Sequence, residues 1–158
     1  MRRALPLLAL TATAALLAGC SGAEPRVDLE AGSAWLDRVQ AEQSDGPGAA
    51  GSASLLVGSR DDSDSGAIGH GVRLDFAGQA VLTRADARCF GGGTVAVTVR
   101  TVTAGATTPH EATIACDEQV HEIDLGGSAA STAAIVDGTA NPPTYLFVAL
   151  IQEMTIER

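Results

Sequence analysis

The sequence contains no lysine and few aromatic residues, and these two scarcities exclude some classes of protein. Its ten basic residues are all arginines and stand against nineteen acidic residues, so the net charge is −9. Proteins that bind nucleic acids need a basic surface, which this composition does not supply. Five aromatic residues also leave little material for stacking platforms or for an aromatic-lined ligand groove.

The motifs of several common enzyme chemistries are also missing. The chain has no GxSxG for a serine hydrolase and no HExxH for a zinc hydrolase. Gly91-Gly92-Gly93 lacks both the GxGxxG pattern and a Walker lysine, so it predicts a hairpin turn and not a phosphate cradle. We therefore predict a non-enzymatic protein without a cofactor.

The first twenty residues have the pattern of an export signal. Arg2-Arg3 is a positive n-region, and the apolar run from Leu5 to Leu17 is too short to span a membrane. Leu17-Ala18-Gly19-Cys20 resembles the lipobox of bacterial lipoproteins, in which the cysteine receives a diacylglyceryl group and the signal is cut before it. The resemblance implies a signal peptide over 1–19, lipidation of Cys20 and an extracytoplasmic, membrane-anchored domain. A secretory signal with a chance cysteine is the alternative.

A helix and a linker are predicted after a polar tether over 20–32. Ser33 is a suitable helix cap, and Trp35, Leu36 and Val39 fall on one helical face, so we expect a short helix over 33–43. Trp35 either packs this helix onto the following domain or serves as a ligand or interface anchor. The Gly- and Ser-rich stretch that ends at residue 52 predicts a flexible linker.

From residue 53 to the end, the period of the apolar residues is that of β-strands. Val95, Val97 and Val99 alternate with more polar neighbours, as in half-buried strands. Tyr145 to Ile151 is apolar throughout, which predicts a central strand covered on both faces. Many short strands without intervening helices predict an all-β antiparallel sandwich. We expect about eight strands, near 53–58, 71–77, 80–90, 94–103, 112–116, 119–126, 131–137 and 144–152. Turn signals separate these strands, among them Ala77-Gly78-Gln79 and the segment from Gly105 to Pro109.

Two cysteines remain once Cys20 is assigned to lipid. In an exported protein Cys89 and Cys116 most simply form a disulfide. Both lie at predicted strand ends and share a strand face with apolar residues. A metal or redox pair is the alternative, although no CxxC spacing is present. The apolar neighbours on the same face are Val81, Ala85 and Ala87 for Cys89, and Ile114 for Cys116.

Two segments around these cysteines resemble small, uncharacterised actinobacterial lipoproteins. Arg88-Cys89-Phe90-Gly91-Gly92-Gly93-Thr94-Val95-Ala96-Val97 is similar to a Cys-Gly-rich turn that leads into a strand, and Ile114-Ala115-Cys116-Asp117 to the Cys-Asp one hairpin later. The resemblance covers roughly the C-terminal half of the chain and implies the fold and the location, without catalytic residues. Glu118 stands where that pattern usually has glycine, so we expect a different turn there.

Two groups of residues are candidates for metal binding. Asp61, Asp62 and Asp64 present three carboxylates within four residues, as a calcium loop would, but Val72 stands where an EF-hand needs its bidentate glutamate. A solvated acidic loop is the alternative. His110 and His121, with nearby acids, are candidates for a zinc site, against satisfied or surface histidines.

The expected function follows from the targeting segment and from the missing motifs. We predict a lipid-anchored cell-envelope protein that acts as a non-enzymatic extracytoplasmic binding or structural module. Its expected partners are the membrane, through the lipid, and an envelope protein or a cell-wall component, with no nucleic acid. A cation-binding module built on the acidic loop, or a metal-dependent enzyme, is the alternative.

Overall fold

A computed structural model describes residues 27–43, 48–59, 71–127 and 129–154. The predicted class is confirmed, because one helix precedes a set of antiparallel strands in the part of the chain that the structure describes. The elements are α1 (Leu29–Gln43), β1 (Ala49–Val57), β2 (Val72–Cys89), β3 (Thr94–Val102), β4 (Thr107–Ala115), β5 (His121–Asp124), β6 (Ala130–Ala140) and β7 (Thr144–Gln152).

The strands form two sheets that share the long strand β2 and pack face to face. Sheet A has the order β1-β7-β2-β5, and sheet B has the order β2-β6-β3-β4. The first half of β2 pairs with β6, and its second half pairs with β7 and β5. We predicted two strands separated by a turn at Gly78, but the chain instead continues through an irregularity between Asp75 and Ala80. Extra residues at such a bulge bend a strand, which lets β2 pass from one sheet to the other.

The inner faces of the two sheets form a single core. Alternate residues along each strand point inward, as the period-two pattern predicts. Valines of β3 in sheet B and leucines of β7 in sheet A belong to the same buried cluster. The fully buried members include Val57, Ala85, Ala87, Cys89, Val95, Val99, Val136, Leu146, Val148 and Leu150.

Strand β7 is covered on both faces, as its unbroken apolar sequence predicts. Leu146 and Val148 point into the core between the sheets. Phe147 points the other way and packs with Trp35 and Val39 of α1. The Trp35 ring also lies 5.8 Å from the ring of Phe90, centroid to centroid. The packing role is therefore the one that the structure supports for Trp35, which is 2% exposed.

The helix begins earlier than predicted. Asp28, and not Ser33, caps α1, because its Oδ1 accepts hydrogen bonds from the backbone N–H groups of Glu30 and Ala31, both at 3.1 Å. Gly32 then lies against Tyr145, where a Cβ atom would approach the ring to 2.6 Å. A glycine at this position lets the first turns of the helix lie close to β7.

Two strand boundaries also differ from the prediction. β1 begins at Ala49, within the segment predicted as a linker, and 44–47 lies outside the described residues. β4 begins at Thr107, whereas the turn predicted to end at Pro109 places its start near 112. Proline is accepted in an edge strand where its missing N–H would have pointed outward. Pro109 is paired with Arg100 in such a strand.

Replacing Trp35 tests how strongly α1 is bound to sheet A. We expect Trp35→Ala to lower the free energy of unfolding by about 3–5 kcal/mol, because it leaves a cavity between the helix and β7. Leu29→Ala is the control, since Leu29 lies on the same helix and is 44% exposed. Urea unfolding of the two variants measures both effects, and an equal loss in both would contradict the packing described here.

Candidate functional site

The outer face of sheet B carries a groove that runs across three strands. Its cavity volume is about 310 Å³, and β3 lies along its floor with β6 and β4 at its sides. The side chains that point outward from these strands are mostly polar. The polar residues that line this sheet B groove are Thr98, Arg100, Glu111, Thr113, Asp137 and Thr139.

The groove has a symmetric arrangement that follows from strand register. Thr98 of β3 pairs with Asp137 of β6 on one side and with Glu111 of β4 on the other. One row further along, Ala96 lies between Thr139 and Thr113. A small residue between two larger ones lowers the floor of the sheet, which explains the concave shape at this row.

A second cavity of about 440 Å³ adjoins the groove at the end of β3 that follows the Gly91 turn. Ala96, Thr113 and Thr139 line both cavities. Ser59 and Thr94 add hydroxyl groups to the second one. The polar face therefore extends along most of β3.

Charge in the groove comes from one guanidinium and two carboxylates. Arg100 Nη2 lies 3.9 Å from Asp137 Oδ2, and the two side chains are 38% and 39% exposed. An exposed pair of this kind adds little to stability. Asp137 Oδ1 accepts a hydrogen bond of 2.8 Å from the N–H of Gly138, which orients the carboxylate. With the nearby threonine hydroxyls and Glu111, the groove offers both donors and acceptors to a polar ligand.

The structure gives the two candidate zinc ligands different partners. His121 Nε2 lies 2.9 Å from Asp117 Oδ1, and His110 Nε2 lies 3.4 Å from Thr101 Oγ1. Across the described ranges, no group of three or more His, Cys, Asp or Glu residues has a geometry that could hold a metal ion. The zinc site built on His110 and His121 is therefore not assembled in these ranges.

The turn between β4 and β5 is held by Asp117. Hydrogen bonds from the His121 ring and from the N–H of Gln119 lower the pKa of the Asp117 carboxyl, the former being the larger cause. Glu118 in the same turn has a φ of 64°, the left-handed region that glycine adopts most easily. Glu118 thus stands in a conformation that suits glycine better.

Cys89 and Cys116 form the predicted pair. Their sulfur atoms are at disulfide distance, and the two Cα atoms are 4.5 Å apart. The bond joins the end of β2 in sheet A to the residue that follows β4 in sheet B. Both cysteines are buried. Val81 does not share the face of Cys89 as predicted, because a register shift between Leu82 and Arg84 turns Leu82 inward instead.

Several predicted features lie outside the described residues. They are the signal peptide over 1–19, the lipidation site Cys20 and the acidic loop with Asp61, Asp62 and Asp64. The helix that the structure does describe is neither long nor apolar enough to cross a bilayer.

Comparison of this chain with known protein families, curated proteins and solved structures gives no match.

Sequence reasoning missed the groove, although a signal for it is present. Glu111-Ala112-Thr113 and Asp137-Gly138-Thr139 share an acid, a small residue and a threonine. Each of these segments pairs with the same part of β3. Without the register, the two segments are 26 residues apart and look unrelated.

Replacing Asp117 tests its contact with His121 through pH. Because folding lowers the pKa, the ionised carboxylate stabilises the fold at pH values above the ordinary aspartate pKa of about 3.9. This contribution is lost as the pH falls through the lowered pKa. We expect Asp117→Asn to lower the melting temperature at pH 6, with a difference from the wild type that shrinks toward pH 3. Asp37→Asn, an exposed acid on α1, is the control. A pH-independent difference would contradict the assignment.

Removing the disulfide measures what the link between the sheets contributes. Cys89→Ser combined with Cys116→Ser should lower the free energy of unfolding by about 3–4 kcal/mol, the value for a loop of this length in the chain-entropy model. Reductant should have a comparable effect on the wild type and none on the double variant. Intact mass shows whether the bond is present, and free thiols at both positions without reductant would contradict it.

Proposed function

We propose that the chain is a lipid-anchored protein of the cell envelope whose β domain is a non-enzymatic binding module on the extracytoplasmic face. The N-terminal pattern that ends in Leu17-Ala18-Gly19-Cys20 supports the anchor. The Cys89–Cys116 pair supports the location, because structural disulfides persist mainly in oxidising compartments outside the cytoplasm.

The distance between anchor and domain is short in this proposal. α1 begins at Leu29, so few residues separate Cys20 from the folded domain. A fully extended segment from Cys20 to Val27 reaches at most about 25 Å. Val27 itself lies against Gly91, next to the disulfide. The anchor therefore keeps this end of the domain near the bilayer, and the net negative charge disfavours direct contact with an anionic leaflet.

The observation that supports binding most directly is the sheet B groove. Two carboxylates flank Thr98 on opposite sides, and Arg100 lies two residues after Thr98 on the same face of β3. Neither solubility of the surface nor packing of the core requires this symmetric arrangement, because these side chains point away from the core. A small number of placed polar groups in a concave site is typical of ligand recognition.

The chemistry of the groove favours a ligand rich in hydroxyl and amide groups. Arg100 and the threonine hydroxyls donate hydrogen bonds, whereas Asp137 and Glu111 accept them. The carboxylates outnumber the guanidinium, which disfavours polyanions such as nucleic acids. Cell-wall polymer, with its sugar hydroxyls and peptide amides, is the envelope component that fits this set of groups best.

Cosedimentation with insoluble, purified cell-wall polymer tests the groove. We expect the full chain to sediment with the polymer, and Arg100→Gln combined with Asp137→Asn to reduce the bound fraction at least tenfold, an order-of-magnitude expectation for losing charged hydrogen bonds. The matched control is Arg73→Gln combined with Asp75→Asn. That pair has an N–O distance of 2.9 Å and sits on the same sheet face, outside the groove.

The outcomes separate binding from anchoring. Equal binding by the two double variants, or no binding by the wild type, would contradict the groove as the site for cell-wall polymer. Cys20→Ala should release the chain from the membrane fraction of intact cells or leave its signal uncut. A processed, membrane-bound Cys20→Ala chain would contradict lipidation.

A further inference from the structure

Strand β4 forms an open edge of sheet B. Among the strands that the structure describes, β4 pairs with β3 alone. The β3–β4 ladder runs from Thr94–Ala115 to Val102–Thr107 without an irregularity. Six of the nine β4 residues from Thr107 to Ala115 are exposed, two are half-buried, and Ile114 is buried. A long, regular and open edge is a template for a further strand.

The hydrogen bonds at the two ends of the ladder show which peptide groups face outward. Thr103 N–H donates to Ala106 O at 2.9 Å, and Cys116 N–H donates to Gly93 O at 3.0 Å. Hydrogen-bonded and non-hydrogen-bonded pairs alternate along an antiparallel ladder. Counting from either end gives the same result. The β4 residues whose N–H and C=O point away from β3 are Thr107, Pro109, Glu111, Thr113 and Ala115.

Pro109 divides this edge into two unequal parts. Proline has no N–H, so no donor faces outward there. Beyond it, Glu111, Thr113 and Ala115 present an uninterrupted series of donors and acceptors. A strand that adds to β4 therefore has its best partners on the half nearer to Cys116.

We propose that this edge pairs with β4 of a second copy of the chain, around a twofold axis at Thr113. In this register Thr113 lies opposite Thr113 of the other copy, and Glu111 lies opposite Ala115. All six of these residues present outward peptide groups, so the pairing is self-complementary. No like charges oppose each other, and Pro109 lies outside the paired segment.

Other registers and other edges are less favourable. An axis at Glu111 would place two carboxylates opposite each other, which is destabilising, and would bring Pro109 into the ladder. Strand β5 is short, and it exposes Glu122 and Asp124. The edge strand β1 has an irregularity between Ala49 and Gly51.

The pairing would join two sheet B units into one continuous sheet. Glu111 and Thr113 line the sheet B groove, so the grooves of the two copies would meet at the joint. Edge pairing over a few residues buries less than the roughly 1,200 Å² of a standard stable interface, so self-association should be weak and dependent on concentration. This inference does not depend on the proposed lipid anchor or on the groove ligand.

Two proline variants test the proposal by sedimentation velocity of the full chain in detergent solution. Thr113→Pro removes an outward N–H and leaves the ladder with β3 intact, so it should abolish the dimer. Thr107→Pro makes the same change on the other side of Pro109 and should dimerise like the wild type. A wild type that stays monomeric up to about 1 mM, or a Thr113→Pro chain that dimerises equally well, would overturn the proposal.

Cysteine variants provide a test that does not depend on how proline affects folding. Under mild oxidation Thr113→Cys should form a covalent dimer, because Cα atoms of directly opposed residues lie about 5.5 Å apart, within disulfide range. Thr107→Cys, equally exposed on the same strand face, should not. Both variants keep the other cysteines, so these contribute equally to each. Equal dimer yields, or none in either, would overturn the proposed register.

Discussion

The burial of β7 on both faces is the constraint on which the rest of the structure depends. Leu146 and Leu150 belong to the core between the sheets, whereas Phe147 and Ala149 belong to the cluster under α1. One strand therefore connects both apolar clusters of the domain. Burying apolar surface stabilises the fold by about 25 cal/mol for each Å². A strand covered on both faces therefore contributes more than a strand with one face in solvent.

The position of β7 also determines which surfaces remain available for function. Helix α1 covers the outer face of sheet A, where Trp35 packs on Phe147. The outer face of sheet B has no corresponding cover among the described residues, and its strands carry threonine, arginine and carboxylate side chains there. The fold thus has one outer face devoted to packing and another that presents polar groups to solvent. The disulfide between Cys89 and Cys116 holds the two sheets together at the end of the domain where Val27 lies against Gly91.

Much of this architecture could be predicted from local sequence patterns. The alternation of Val95, Val97 and Val99 identified β3, and the unbroken apolar run after Tyr145 identified the central strand. These predictions succeeded because the period of the apolar residues reports directly on which side chains point to the core. The pairing of the two cysteines followed from their number and from the predicted export signal.

Other features depend on interactions between distant residues and could not be predicted in the same way. The sequence does not show that β4 is an edge strand in which every second N–H group points outward. Pro109 therefore indicated a turn, although it lies within the strand. Gly78 likewise indicated a turn, although β2 continues past it into the other sheet. The groove requires the register of three strands, which aligns Glu111 and Asp137 on either side of Thr98. Side-chain periodicity identifies a strand but does not identify its neighbours.

We propose that the outer face of sheet B is the binding surface of the domain. Chemical-shift mapping with soluble cell-wall fragments tests it most directly, because each backbone amide reports separately. We expect shifts confined to the groove, at Thr98, Arg100 and Asp137 and their neighbours on β3, β4 and β6. Shifts that cluster on α1 or on sheet A, or no shifts with any fragment, would contradict it.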